Sequence, residues 1–383
     1  MSTGAMDDDV ELPLLVDPLR LADPGLPDRG LRAGGQADDM RLCTGPDLEQ
    51  YVYKRYSEDT IAGMREKMLI DMVRWRRELP AEERAELDRR CAWPVAAVGG
   101  PGYVQGILIR LAPPAMFEQH TLPDGRTRVS PRHLDVLTRG PERARRIGTT
   151  YYEPPYKLAV LGQLLSTVNW LHTRGYAVGD LQLRNAVFTV DPRPEVFLLD
   201  CDSCVPLSGV GALARVDPEI YQLPEGMQGA AFDANSDYYK FAWAVVRCVQ
   251  ENAETFAIDQ EVLKRVMTTP YVELLAECCR TLPPQGTRER LREAAALWPR
   301  LVAPGRLSVN IDGYIKEPWP PGRSAVVAKP PITASRPQAT IPAPRIPAER
   351  ATERTPAQRR ATVIVLALMV FVVILIVVTV LNA

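Results

Sequence analysis

From Ala361 to Ala383 the chain carries no charged side chain, and residues 361–381 read ATVIVLALMVFVVILIVVTVL. A buried helix of a water-soluble domain shows polar residues somewhere on its circumference. A helix of about 20 apolar residues instead matches about 30 Å of hydrocarbon. The stretch 361–381 therefore reads as one transmembrane helix and takes no part in a soluble core. The residues before it are also removed from the core. Residues 317–360 hold ten prolines and no helical period, and eight Lys or Arg against three Glu leave a net charge of +5. That composition favours an extended, disordered linker. Arg359 and Arg360 abut the apolar run, with Arg345, Arg350 and Arg354 just ahead. The positive-inside rule then puts everything N-terminal in the cytoplasm. The expectation is a single-pass membrane protein with a C-terminal anchor, and only Asn382 and Ala383 beyond the span. Residues 1–26 are acidic, proline-bearing and without period, and read as a disordered tail. What folds must lie between them and residue 316.

A net charge of −1 gives no reason to expect a nucleic-acid partner. Seven of the 46 basic residues are lysines, so a lysine at a telling position stands out. The seven cysteines are odd in number and scattered, which argues against a disulfide framework. Cys201 and Cys204 have no second pair at zinc-ligand spacing, and His120, His133 and His172 are far apart, so no zinc site is expected.

Local patterns place the elements. After a glycine-bearing segment from Leu31 to Cys43, Glu49 to Tyr56 alternates as a strand does. Ile61 to Trp75 repeats apolar residues at helical spacing. Ala92–Val98 and Tyr103–Leu111 read as strands joined by a Gly-Gly-Pro-Gly turn. Lys157–Thr173 is a strong helix with Gly175 at its stop, and Ser236 can cap a helix over Asp237–Val249. Two or three further helices fill Glu261–Leu301. Strands and one helix are thus followed by a mostly helical half, an α+β arrangement.

The chemistry concentrates between Tyr176 and Ser203. Asp180 is followed five positions on by Asn185, and a strand-like V-F-L-L ends at Asp200. One acid at such a place can orient a hydroxyl. An Asn and a second acid can hold magnesium against the phosphates of ATP. Phosphoryl transfer also needs a cation on the triphosphate, and Lys54 in V-Y-K-R-Y is set on a strand for that task. A carboxylate on the following helix should hold the lysine. Glu66 shares a face with Leu69, Ile70 and Val73, and Asp71 is the substitute on the same helix.

Taken together, these residues resemble the eukaryotic-type protein kinase domain in its bacterial form, over about residues 31–303. LHTRGYAVGDL (171–181) is similar to the family's helix end and catalytic loop, and Asp217–Glu225 to the end of its activation segment. Ala92-Trp-Pro-Val, the Gly-Asp loop and Asp200-Cys-Asp-Ser203 resemble a bacterial subgroup with Asp-x-Asp-Ser in the magnesium loop. The resemblance implies a bilobal fold, with a small β-rich lobe over 27–114 and a larger helical lobe over 115–316. It implies ATP and magnesium, or manganese, as cofactors and a protein Ser or Thr as acceptor. Asp180 takes the catalytic position, Asn185 and Asp200 the metal positions, and Gly34, Gly35, Lys54 and Glu66 the nucleotide positions. Asp237 would brace the catalytic loop, and Arg288 would pair with Glu225.

The chain departs from the family in ways that bear on turnover. The nucleotide loop reads Leu31-Arg-Ala-Gly-Gly-Gln-Ala37, with Arg32 and Ala37 where glycines are usual. Val178-Gly179 replaces the His-Arg pair before the catalytic Asp, Gln182 stands where a lysine is common, and Arg184 is near but shifted. Asp217 replaces a Thr and would crowd another acid. Asp202 reads either as an added metal ligand or as a turn residue. Ser324, Thr333, Ser335, Thr340, Thr352 and Thr355 in the linker are candidate self-phosphorylation sites. Two rival readings follow. One is a pseudokinase that serves as a membrane-tethered interaction module. The other is a kinase of small molecules, since Gly-Asp loops occur there too.

Overall fold

The computed structural model describes residues 12–24, 31, 35–121, 127–207, 209–214, 219–224, 233–280, 289–290 and 292–293. They form an α+β structure: a five-stranded mixed sheet with helices, then a part built mainly of helices. The sheet contains β1 (Leu15–Val16), β2 (Ala37–Thr44), β3 (Gln50–Tyr56), β4 (Pro94–Gly100) and β5 (Tyr103–Ile109), in the order β1-β4-β5-β3-β2. Between β3 and β4 lie α1 (Glu58–Gly63), α2 (Glu66–Glu78) and α3 (Ala81–Arg90). A hairpin of β6 (Phe117–Thr121) and β7 (Thr127–Pro131) follows, then α4 (Pro141–Ile147) and the long α5 (Pro154–His172). Next come the short strands β8 (Tyr176–Ala177), β9 (Ala186–Thr189), β10 (Glu195–Leu198) and β11 (Val205–Pro206). The helices α6 (Ala234–Val249), α7 (Gln260–Lys264) and α8 (Thr269–Arg280) complete the order.

The two-residue period of β3 decides where Lys54 points. Tyr51 and Tyr53 pack into a small cluster with Val16, Val98 and Leu108 on one face of the sheet. Val52 and Tyr56 belong to the main core on the other face. Lys54 stands between them in the same phase and so faces the main core. That core runs through α5 and α6, both buried along nearly their whole length. Trp93 ties the sheet to α2: its indole N–H donates to the Met72 carbonyl at 3.0 Å, and its ring meets Trp75 and Tyr176 at 4.8 and 4.9 Å.

Several expectations change. The stretch 1–26 is not tail throughout: β1 pairs in parallel with β4, Leu12 and Val16 are buried, and the Leu14 carbonyl accepts from Ala97 N–H at 2.9 Å. The apolar run Leu12–Val16 was masked by averaging over acidic, proline-bearing neighbours. The single helix expected over 61–75 is broken at Met64–Arg65, where the Arg65 N–H goes to the Ala212 carbonyl at 2.8 Å. Helix α3 was not anticipated because only Leu87 of its ten residues is buried, which leaves no apolar stripe to read. Helix α6 starts earlier than expected. Asp233 is its cap, accepting from Asn235 and Ser236 N–H, while Ser236 Oγ answers the Asp233 N–H in a capping box. The expected linker and apolar span at 317–381 lie outside the described residues. Among the described residues no helix is long and apolar enough to cross a membrane.

Candidate functional site

The ammonium of Lys54 sits between two carboxylates. Its Nζ lies 3.0 Å from Asp200 Oδ1 and 2.9 Å from Asp202 Oδ2. Tyr56, two residues along the same face of β3, donates its hydroxyl to Asp202 Oδ2 at 2.8 Å. Burial alone would push Lys54 down, but the charges of Asp202 and then Asp200 outweigh it and hold the ammonium above its ordinary value. Burial, with Asp202 beside it, pushes the Tyr56 phenol well up. The two acids differ in setting. Asp202 is 1% exposed, whereas the Asp200 side chain is 40% exposed. Asp200 also has a left-handed backbone, with φ 51°. Asp tolerates that region better than most residues, and such outliers concentrate at functional sites.

Glu66 does not hold the lysine. The helix break makes it the first residue of α2, where a negative charge meets the positive helix end. Its Oε1 accepts from the Val104 N–H at 3.1 Å instead. Asp71, the substitute, pairs with Arg74 one turn along the helix surface. Asp202 lies in the single 3-10 turn Cys201–Ser203, in keeping with the turn reading of this residue, and its carboxylate is the buried counter-charge of Lys54.

The loop after β8 is fixed from below by α6. Asp237 Oδ2 accepts from Val178 N–H at 2.7 Å and Oδ1 from Gly179 N–H at 2.9 Å. His172, at the end of α5, places Nε2 2.8 Å from Oδ2 and therefore donates to it. Lys240, one turn along α6, donates to the Gly179 carbonyl at 2.8 Å. The loop so held presents Asp180. Gln182 Nε2 donates to Asp180 Oδ1, and Asn185 Nδ2 donates to Oδ2 at 2.7 Å and to the Asp180 carbonyl at 3.1 Å. Burial pushes the Asp180 carboxyl up. The bond from Gln182, the charge of Lys240 and the bond from Asn185 pull it back, and Asp200 adds to the rise.

The donor set suits magnesium. Asn185 spends its amide N–H on Asp180, which leaves its carbonyl oxygen as the group that could serve a metal. Asp200 has a carboxylate oxygen beyond the one on Lys54. Magnesium keeps several waters and is held by one or two side chains plus substrate phosphates, so two protein ligands suffice. No group of three His, Cys, Asp or Glu suited to a metal occurs among the described residues. A cavity of about 210 Å³ is lined mainly by apolar residues, among them Leu31, Met40, Val52, Ile109, Phe117 and Leu199, and also by Arg110, His133, Arg184 and Asp200.

The segment after Asp200 is anchored too. Cys91, just past α3, bridges in parallel to Leu198, the Ala92 N–H donates to the Leu198 carbonyl at 2.8 Å, and the Cys201 thiol donates to the same carbonyl at 3.6 Å, which ties the Asp200 turn to the end of α3. All seven cysteines are buried and free of disulfides. Farther on, Tyr221 OH accepts from Leu183 N–H at 3.2 Å, and Arg247 on α6 donates to the Ile220 carbonyl at 2.6 Å with Tyr221 stacked near its guanidinium. Gly35 adopts a φ of 58° ahead of β2. Gly34, Arg32, Asp217 and the expected pair Arg288–Glu225 lie outside the described residues.

Sequence reasoning missed Tyr56, Lys240, Arg247 and His172. Tyr56 alone had a signal, its place two residues from Lys54 on one strand face. The others act from helix positions that read as ordinary core or surface. Compared with known proteins, the chain matches no protein-family model and no curated sequence.

Proposed function

We propose that the protein is a membrane-anchored, cytoplasm-facing Ser/Thr protein kinase. In this reading the sheet part and the helical part are the two lobes of a kinase fold, with the nucleotide between them. The observation that carries it is the meeting of Lys54 on β3 with Asp200 after β10, 3.0 Å apart, next to Asp180 and Asn185 on a loop braced by Asp237. These groups come from four separate segments, and phosphoryl transfer needs each of them.

The adenine would fill the mainly apolar cavity, with the phosphates at Lys54. Asn185 and Asp200 would hold magnesium, which supplies charge neutralisation on the phosphates. Asp180 would accept a hydrogen bond from the acceptor hydroxyl and direct its oxygen at the γ-phosphorus. The new P–O bond forms as the β–γ bridging bond breaks. The hydroxyl proton passes to Asp180, and ADP leaves.

The test uses the full chain in detergent with labelled ATP and magnesium or manganese. Transfer to Ser or Thr of a protein acceptor, lost in Lys54→Met, is the expected result. Nucleotide binding without transfer would favour a pseudokinase, to which the glycines lost from the nucleotide loop and Asp217 point. Transfer to small hydroxyl compounds only would favour the small-molecule reading.

Activity should not depend on phosphorylating the segment after Asp200. Of the acceptors Ser203, Ser208 and Tyr221 on that segment, Ser203 Oγ donates to the Asp200 carbonyl at 2.7 Å and Tyr221 is buried, so neither of these hydroxyls is presented, while Ser208 lies outside the described residues. The usual arginine partner of an activation-segment phosphate is replaced by Gly179. Phosphatase treatment is expected to leave the transfer rate within about twofold, because Gly179 offers no cation to a phosphate on that segment. Abolished activity after treatment would count against this.

A further inference from the structure

We infer that Asp202, held by Tyr56, is the positioning residue for Lys54, and that helix α2 supplies none of the alignment of the nucleotide. The inference rests on the kinase reading above and specifies how its lysine is set. Asp202 is 1% exposed and places both carboxylate oxygens within 3.0 Å of Nζ. Tyr56 fixes the carboxylate from the other side, and Lys54 and Tyr56 share one strand face, so the three groups form a unit within β3 and the Asp200 turn. Asp200, more exposed and facing the cleft, can leave Lys54 for a metal while Asp202 stays. Helix α2 is committed elsewhere along its length. Arg65 N–H is bound to Ala212, Glu66 to Val104 N–H, Met72 to Trp93, and Arg76 to Asp88 through two nitrogens. A swing of this helix would break those bonds without delivering Glu66 to a lysine already paired. The orientation of Lys54 is therefore built in, where a helix-borne carboxylate would make it conditional on the helix position.

The experiment is a double-mutant cycle on the full chain, reading magnesium-ATP affinity in every variant and, in those that retain transfer, KM and kcat separately. Asp202→Asn is expected to raise the nucleotide KM about tenfold and lower kcat about tenfold, and Asp202→Glu to recover part of both. Glu66→Gln should stay within about twofold of the parent. Combined with Lys54→Met, Asp202→Asn should add almost nothing, because the two residues act as one unit. If Asp202→Asn does not fold, Tyr56→Phe carries the test through an expected three- to fivefold rise, roughly, in nucleotide KM. Parent-like kinetics in both Asp202→Asn and Tyr56→Phe, or a loss in Glu66→Gln that couples to Lys54→Met, would overturn the inference and leave the kinase reading standing. A parent chain that neither binds nucleotide nor transfers phosphate would take both down.

Discussion

Replacing Asp200 with asparagine is expected to lower phosphoryl transfer by about a thousandfold while the protein stays folded. The carboxylate is the one charged metal ligand of the proposed pair. Metal stabilisation of transferring charge amounts to several kcal/mol, and about 4 kcal/mol corresponds to about three powers of ten in rate. Folding should survive because Lys54 keeps Asp202 and because the Asp200 side chain is already partly in water. Asparagine also tolerates the left-handed backbone at this position, with φ 51°. Asp200→Ala should be equally inactive and less stable by about 1 kcal/mol, since alanine adopts that conformation poorly. Initial rates of label transfer and urea midpoints separate the two effects. An asparagine variant retaining more than a tenth of the rate would remove Asp200 from the metal role.

Asp237 should matter to folding and to activity together. It is fully buried and accepts from two backbone N–H groups and one imidazole. Asp237→Ala orphans these donors in a place water does not reach. At about 1–3 kcal/mol for each stranded donor, a loss of roughly 3–5 kcal/mol is expected after partial relaxation. The same change frees the loop that presents Asp180, so transfer should fall by about a hundredfold or more even in the folded fraction. Asp237→Asn keeps one good acceptor but turns a donor towards a donor, and should fall between alanine and the parent. Urea unfolding of the three proteins is the measurement. A change under 1 kcal/mol or so for alanine would mean that the loop holds itself.

How far the site could be read from the chain depended on whether partners are close in sequence. Asp180, Asn185 and Asp200 lie within 21 residues and carry a fixed order of chemistries, and the structure puts Asp200 on Lys54 and Asn185 on Asp180. The partner of Lys54 was misjudged because sequence shows spacing on a helix but not where the helix begins. The break at Met64–Arg65 moved Glu66 from a helix face to a helix end. Asp202 was ambiguous because an acid two residues from another acid satisfies a turn and a metal equally well. Only the buried hydroxyl of Tyr56 distinguishes a third role. In the fold, β3 and the long helices α5 and α6 were legible from their periods. Strand β1 was not, because its stability comes from pairing with β4, some 80 residues away.

The pairing of Lys54 with Asp200 and Asp202 also orders events during synthesis. These contacts span 146 and 148 residues, so loop-closure entropy defers them until late in folding. A nascent chain that has not yet emerged past residue 202 carries an ammonium at a position destined to be sealed from water, with no counter-charge to accompany it. It can bury the inner face of its sheet only by turning Lys54 outward. Premature termination anywhere between β3 and the Asp200 turn therefore leaves a fragment whose sheet stays open and exposed to proteases. Closure of the charge cluster lets the inner face of the sheet seal with Lys54 inward, and the core is completed only when α6 follows.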